Sequence, residues 1–517
     1  MTELSEHYDV IISGAGPTGL MLANLLNHFK INFLIVDTKS GPTKESRALA
    51  VQSRSLEIYE QLGLSEEILK EGQEVTAFTF LKNAKPVARA GFLNQGIDIS
   101  PFPFAMIYEQ SKNEELLYNN LLSHNSYVCW NSKISDYKKI NNEYSVTIQT
   151  DGIEKNIKCK YLCACDGSRS IIRDISGMPF TGGTYENVFY VADTHAITGT
   201  DHKSLLLFLS KLTIVLLFPM QGENRYRVLG ILPKEYYHHD EITFKDIAAN
   251  LKINEKIPFD LFDTDWFSTY KLHHKKVIRF NDGNVFFCGD AAHVHSPAGG
   301  QGMNTGLQDA YNLAWKLAAV INRTARPELL ETYNEEREPN AQQLLKTTDR
   351  FFSVMIKPGK QFEFLRLWLL PFLFPILAKF RFVQKIMFLF VSQVRINYKN
   401  SSLSNGRSGS IKSGMRFPWF NISENGKQVS IYNIIQEKSP ISFTLLTYNI
   451  SEPIPQSSFY NIINIEKNPE NDKRLSKKGF SKTWIALLRP DNYICFTSDG
   501  LKIKEMNEHL RKYFNIP

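Results

Sequence analysis

The sequence predicts an α/β fold: a parallel sheet of Rossmann type, an antiparallel sheet inserted into it, and a smaller α/β unit at the end of the chain. Three observations carry this. Tyr8 to Ser13 is a short apolar strand, followed by Gly14-Ala15-Gly16-Pro17-Thr18-Gly19, an apolar helix through Leu26, and a second strand, Asn32 to Val36, ending in Asp37. Asn284 to Cys288 is a β-branched and aromatic run that ends in Gly289-Asp290, with a glycine-rich turn (Pro297 to Gly302) and a long helix after it. Between them, residues 180–280 hold strand-like runs, Ser204 to Met220 and Arg225 to Leu232, in which Phe, Tyr and Trp are frequent.

The first stretch has the spacing of a dinucleotide fingerprint. Gly14 makes a tight turn, Gly16 lets backbone approach a pyrophosphate, and Gly19 lets the helix close on the sheet. Asp37, about twenty residues on, is an acceptor for ribose hydroxyls. The second stretch places the Asp290 carboxylate at a strand end. Beside it, Gly302-Met303-Asn304 opens a helix whose free N–H groups no bulky side chain shields. Such a helix start attracts negative charge. The pair suits a ligand with both hydroxyls and a developing negative charge, and a reduced flavin with its ribityl chain is such a molecule.

Read as a whole, GDAAHVHSPAGGQGMNTGLQDAYNLAWKLA (Gly289 to Ala318) resembles the second flavin-binding motif of the single-component FAD-dependent aromatic hydroxylases, in particular the phenol hydroxylase and pentachlorophenol monooxygenase group. In ESRALAVQSRSLEIYEQLGL the resemblance puts Arg47 on the flavin phosphates; Arg54 reads as a solvated helix arginine. Gln110 matches a flavin-contacting glutamine. Asp166-Gly-Ser-Arg-Ser170-Ile-Ile-Arg173 resembles the D-G-x-x-S-x-x-R motif tied to both FAD and the pyridine nucleotide, while on its own Asp166 also reads as a helix cap. Asp37 stands where the group commonly has Glu. Pro17, Thr18, Thr38 and Ile134 complete the expected cofactor-binding set, and Pro297 is placed near the flavin ring. The implied fold is p-hydroxybenzoate hydroxylase-like. The implied activity is hydroxylation of an aromatic, phenolic ring through a flavin hydroperoxide, consuming O2 and NADPH or NADH. With one nucleotide fingerprint, the nicotinamide is expected in a groove. Candidate substrate-lining residues are Phe208, Phe218 and Tyr226, then Phe189 and Trp266; no carboxylate in 180–280 stands out as a base for the phenol.

The expected division is a discontinuous FAD-binding domain (1–75, 100–179, 281–345), a substrate-binding sheet domain (76–99, 180–280), connecting helices (346–400), a Ser- and Gly-rich linker (401–413) and a last domain (414–517). The last domain resembles the thioredoxin-like C-terminal domain of the phenol hydroxylase group. It has no C-x-x-C, so dithiol chemistry is excluded, and flavin reduction is expected to survive its removal.

Composition adds exclusions. Apolar content of 43% and charged content of 22% are those of a globular protein. Six cysteines show no metal-ligand spacing and read as reduced thiols; neither His238-His239 nor His293-x-His295 makes a metal site, and none is expected. The net charge of +7 is concentrated in residues 341–416, where thirteen Lys or Arg face only Asp349 and Glu363, so a nucleic-acid partner is not expected. Met1 runs into the first strand without an apolar signal segment, and the expected location is cytoplasmic. Residues 361–395 are apolar and basic, too broken by Pro371 and Pro375 to span a bilayer. They read first as scaffold helices between domains or at a homodimer interface, and second as a peripheral contact at the inner membrane face. The alternatives to a simple phenol hydroxylase are a hydroxylase of a polyprenyl phenol or aromatic antibiotic, and a non-catalytic flavin-binding interaction protein. A flavin halogenase is excluded because no W-x-W-x-I-P stretch is present.

Overall fold

His7–Ser13 lies at the centre of a parallel sheet because Val10-Ile11-Ile12 is apolar towards both faces and buried on both. Phe33–Val36 and then Val128–Cys129 flank it on one side; Ile153–Ala164, Val285–Phe287 and Asn281–Asp282 follow on the other. Strand order therefore reverses at His7–Ser13, and such a switch opens a crevice at the carboxyl ends of the strands. The computed structural model describes residues 4–516 apart from 45, 47, 83–84, 92, 210–213, 238–241, 254–256, 258, 297–299 and 357–358. Arg47, Pro297 and the His238-His239 pair lie outside the described residues.

The inserted sheet has eight strands, in the order His293–Val294, Leu261–Val277, Phe180–Ala196, Arg225–Ile231, Ile214–Pro219, Ser204–Leu209, Ala77–Lys82 and Lys85–Gly91. Every neighbouring pair is antiparallel except Ser204–Leu209 with Ala77–Lys82. Helix Phe244–Ile253 covers its outer face through Phe244, Ile247 and Leu251. Residues 331–392 then run as the helices Glu331–Ile356, Lys360–Phe364, Leu370–Leu377 and Arg381–Ser392, with a π-helical turn at Leu365–Leu369. Among the described residues no helix is long and apolar enough to cross a membrane.

The last unit is a six-stranded sheet, ordered Ile411–Lys412, Asn405–Ser408, Ile494–Asp499, Trp484–Leu488, Thr444–Tyr448, Asn461–Ile465. Residues 401–413, expected as a linker, begin it: Asn405–Ser408 pairs in parallel with Ile494–Asp499. Their serines and glycines have fixed jobs. Ser401 Oγ donates to Glu336 (2.9 Å), the Ser408 and Ser481 hydroxyls meet at 2.7 Å, and Gly406 at φ +92° sits where any Cβ would collide with the Thr497 carbonyl.

Nor does the last unit hang free. Leu403, Phe443, Leu445, Leu487 and Phe514 share one buried cluster with the long helix Gly302–Ile321, and Trp315 of that helix meets Phe443 edge-on. Across the junction runs a chain of buried charges. Arg489 binds Glu336 (2.7 Å) and Asp491 (2.9 Å), and Glu336 binds Lys316 (2.9 Å). Trp315 Nε1 donates to Asp491 (3.3 Å), and Arg54 donates to the Asp491 carbonyl (2.7 Å). Glu57 holds both Arg54 (3.0 Å) and Arg416 (3.0 Å). Arg54, expected as solvated, is 1% exposed, because the last unit packs over it. Burial alone would raise the pKa of Glu336, but Arg489 and Lys316 hold it down to about 2. Deleting the last unit would strip these charges of their partners, so its removal is expected to cost stability.

A buried pair that loses one member leaves the other charged and unsolvated. Arg489→Met, which keeps most of the volume, should therefore cost about 3–5 kcal/mol of unfolding free energy in urea at neutral pH. A loss under about 1 kcal/mol would show that water reaches Glu336 and Asp491 and that the junction is not sealed.

Candidate functional site

Three chain segments converge on the crevice at the switch point. Gly14 (φ +100°) lies so close to the Cys165 carbonyl that any Cβ would collide, and Gly19 is pressed as tightly on the Gly14 carbonyl. Gly16 is different: a Cβ there meets nothing within 4 Å. Gly14 and Gly19 thus close the protein on itself, while Gly16 and the start of helix Pro17–His28 face open space, as a pyrophosphate site requires. Pro17 sits in the first turn, where its missing N–H costs nothing. The Thr18 hydroxyl fills the space left bare by Gly289 and Gly306, locking the first turn to the second motif.

Asp37 follows Phe33–Val36 and accepts from the Ala15 N–H (2.6 Å) and the Lys39 N–H (2.8 Å). Its carboxylate stays at the lip of the turn, with Thr38 exposed beside it. Glu114, which sequence reasoning passed over, is buried and binds Lys39 Nζ (2.9 Å) and the Thr43 N–H (2.8 Å), tying down the loop after Asp37. Gln110 is a clamp. Its Oε1 accepts from the Ala48 N–H (3.0 Å) and its Nε2 donates to Glu114 (3.0 Å) one turn along its own helix, so both ends of the amide are engaged.

Asp166 Oδ2 accepts from the Ile171 N–H (3.0 Å) at the start of helix Ile171–Ser176, whose cap is Ser170. Its Oδ1 is buried with no hydrogen-bond partner among the described residues, and the Asp166 backbone adjoins Gly14. An orphaned acceptor at that position fits a ligand hydroxyl or N–H. Burial pushes the Asp166 carboxyl up, against hydrogen bonds that pull it down. Arg173 spans the crevice floor, donating to the carbonyls of Ser168 (2.9 Å) and Ala291 (3.2 Å).

Asp290 stands exposed on the turn Gly289–Ala291, directly after Val285–Phe287. The turn is set by Asp309, which accepts from the Gly289 N–H (3.0 Å), His293 Nε2 (2.9 Å) and Arg337 Nε (2.6 Å). Burial would raise the Asp309 pKa, but Arg337 and His293 outweigh it and hold the carboxyl below its ordinary value. His293, a fingerprint residue, is thus spent on Asp309. His295 has its Nδ1 at 2.8 Å from the Ser296 carbonyl, and burial, reinforced by His293, pushes its pKa down to about 4. Its Nε2 has no partner among the described residues and lies near Gly302.

Helix Gly302–Ile321 begins here with no side-chain cap on its first N–H groups, and Met303 is half-buried. The Asn304 side chain is used within the protein. It is fully buried and stitches the helix start to the Ala50 carbonyl (2.7 Å), the Gly300 carbonyl (2.8 Å) and the Gln52 N–H (2.8 Å), so what Asn304 offers a cofactor is main chain. Ile134 is a correction: it is buried opposite Ile148 in the core and presents no side chain to the crevice.

The substrate-lining candidates separate by strand alternation. Phe208 and Tyr226 point to the outer face, into the cluster under helix Phe244–Ile253, and are withdrawn as liners. Phe218 points to the inner face, in a cluster with Leu49, Met220, Phe388 and, through Ala50, the helix start. Cross-strand register sets Phe218, Arg227, Asp193 and Trp266 in one row on that face. Arg227 and Asp193 form a buried bidentate pair (2.6 and 2.7 Å), with the guanidinium over the Trp266 ring. Arg227 Nη1 is buried and has no partner among the described residues. No sequence spacing marks this pair, because its members are joined only by register. Phe189 lies on the same side with Leu272 and Tyr270. Among the described residues, no group of three or more His, Cys, Asp or Glu is placed to hold a metal ion.

The FAD binding domain family matches residues 7–348. Pentachlorophenol 4-monooxygenase of Sphingobium chlorophenolicum is 28% identical over 523 residues, 94% of this chain and 93% of that protein. 6-Methylpretetramide 4-monooxygenase of Streptomyces rimosus is 33% identical over 342 residues, 66% of this chain, which spans 60% of that relative's length. The solved structure of OxyS anhydrotetracycline hydroxylase from Streptomyces rimosus matches with a TM-score of 0.78 at 25% identity, over 99% of this chain and 100% of that one.

Two outcomes follow. Asp290→Ala removes a charge-assisted acceptor worth roughly 1.5–3 kcal/mol, so FAD titration should show affinity weakened about tenfold to a hundredfold; unchanged affinity would remove Asp290 from the site. For His295, the unfolded side chain titrates near 6.5 and the folded one near 4, so the unfolded state binds the extra proton between those values. The stability that neutral His295 contributes is present above that window and is lost as pH falls through it. The urea-unfolding difference between wild type and His295→Asn should shrink by about 2 kcal/mol from pH 7 to pH 4.5. A difference that does not change with pH would mean that His295 is solvated.

Proposed function

The chain belongs to the FAD binding domain family of flavin-dependent aromatic monooxygenases, and from that premise we propose that it hydroxylates a phenolic ring with O2 and NADPH or NADH. Bound FAD supplies the redox and oxygen-transfer chemistry; the chain binds, orients and shields. Gly14 to Gly19 would hold the pyrophosphate, Asp37 the ribose and Asp290 the ribityl chain, while Asp166, whose backbone adjoins Gly14, offers Oδ1 as an acceptor. The uncapped N–H groups from Gly302 onward would meet negative charge on the reduced ring.

The observation that carries the substrate reading is the inner-face row Phe218, Arg227, Asp193, Trp266. Phe218 and Trp266 give an apolar wall, and Arg227 Nη1 gives a buried donor aimed by Asp193. A phenol oxygen on that donor would be oriented, and the fixed cation would favour its ionised form, which is the form an electrophilic oxygen attacks. The relatives named for pretetramide and anhydrotetracycline favour a polycyclic phenol within this class.

The last unit reads as thioredoxin-like without a dithiol. Thr444–Tyr448 pairs in parallel with Asn461–Ile465, and Trp484–Leu488 and Ile494–Asp499 add antiparallel strands before a closing helix, Ile503–Leu510. Its one cysteine, Cys495, is buried with its thiol pushed up to about 12 by burial.

Oxidation of NADPH and of NADH should be followed across a panel of simple phenols and polycyclic aromatics. Wild type should show effector-stimulated oxidation with hydroxylated product. Arg227→Met should keep FAD but lose the stimulation roughly a hundredfold, the scale of one charged hydrogen bond. FAD-loaded wild type that no aromatic stimulates would favour a flavin protein without this catalysis.

A further inference from the structure

Eleven of the twenty-two large hydrophobic side chains exposed among the described residues lie between Phe364 and Phe390, so they form one surface feature and not a scatter. Their spacing is helical. Trp368, Phe372, Ile376 and Phe380 recur every fourth residue, Leu369, Leu373 and Leu377 run beside them, and Phe382, Ile386 and Phe390 continue the stripe along Arg381–Ser392. Trp368, Phe372 and Phe382 are 66%, 69% and 72% exposed.

This is not a core face waiting to fold inward. The opposite side of Arg381–Ser392 is already packed: Phe388 is fully buried against Gly96 and in the inner-face cluster with Met220 and Phe218. That packing fixes which stripe faces out.

Charge then selects the occupant. Lys379, Arg381 and Lys385 are exposed beside the stripe, and residues 364–390 contain no Asp or Glu. A symmetric pairing of two copies would set this patch against itself, bringing the cations together with no acid of the patch to neutralise them. A bilayer surface with anionic headgroups satisfies both features, taking the apolar stripe into the acyl boundary and the cations among the phosphates. We propose that the face formed by residues 364–390 docks on an anionic lipid bilayer surface, lying in its plane. The other side of the same helices closes the face assigned to the aromatic substrate, so an aromatic dissolved in the bilayer would arrive beside the flavin. That last link rests on the proposed function; the docking does not.

The test uses the full-length, FAD-loaded protein in flotation with phosphatidylcholine vesicles, with and without phosphatidylglycerol, at low and high salt. Wild type should float with the phosphatidylglycerol vesicles at low salt and lose most of this at high salt. Lys379→Glu/Arg381→Glu/Lys385→Glu should lower partitioning roughly a hundredfold, at about tenfold or less per charge. Trp368→Ser/Phe372→Ser/Phe382→Ser should abolish it even at low salt. Flavin absorbance and thermal midpoint check that each variant is folded, and should either fail, the lipid and salt dependence of wild type decides alone. The proposal is overturned if wild type does not float with anionic vesicles at low salt, or if flotation ignores salt and both sets of substitutions. It is also overturned if sedimentation shows a dimer that the same substitutions dissolve. Because neither readout needs turnover, failure here leaves the hydroxylase reading intact.

Discussion

The carboxylate of Asp309 is the point on which the site depends. Three donors from two segments meet on it, the Gly289 N–H and His293 from one and Arg337 from the other, and all are shielded from water. In that environment a missing partner is costly, so the donors are held to one geometry. The geometry is the useful product: the Gly289 N–H fixes the turn from which Asp290 projects. One helical turn on, Asn312 and Lys316 meet Glu336, and Glu336 meets Arg489 of the last unit. The turn that carries Asp290 and the last sheet are therefore each tied to helix Gly302–Ile321 or its neighbour Glu331–Ile356 by buried charged groups. The last unit thereby covers helix Gly302–Ile321, giving Asp491 to Trp315 and Arg489 to Glu336.

The inserted sheet uses its two faces for different purposes. The outer face is ordinary core under helix Phe244–Ile253. The inner face carries the buried ion pair of Asp193 with Arg227, placed opposite each other by register, and two residues along the same strand Arg225, which binds Glu109. Burying a charge in an apolar wall is unfavourable unless it is paired, and here the pairing leaves one guanidinium nitrogen over. A largely apolar wall with a buried, fixed donor suits a flat ring with one oxygen.

How much could be read from the chain alone follows from the range of the interactions. The parallel sheet, its glycine turns and the positions of Asp37, Asp166 and Asp290 are local consequences of sequence: Gly14 is glycine because the Cys165 carbonyl is there, and a strand-turn-helix pattern announces such a site. The inserted sheet was legible from its aromatic, β-branched runs, yet which residues face the crevice was not. Period two divides a strand into two faces without saying which is inward, so Phe208 and Tyr226 looked as eligible as Phe218. Arg54 and Asn304 show the same limit from the other direction. A polar side chain on a helix reads as open to solvent until tertiary packing supplies the Asp491 carbonyl for one and the Ala50 carbonyl for the other.

The sequence by itself thus determined the nucleotide turn, the strand-end carboxylates and the helix start, because each depends on backbone geometry within a few residues. Only the tertiary structure decided that Asn405–Ser408 and Ile411–Lys412, within the expected linker, are sheet strands, that the last unit is sealed to the helix by Arg489 and Asp491, and that Arg227 stands opposite Asp193. Those outcomes rest on contacts between residues far apart in the chain. Burial there turns groups that would be neutral in water into ones that must find a partner.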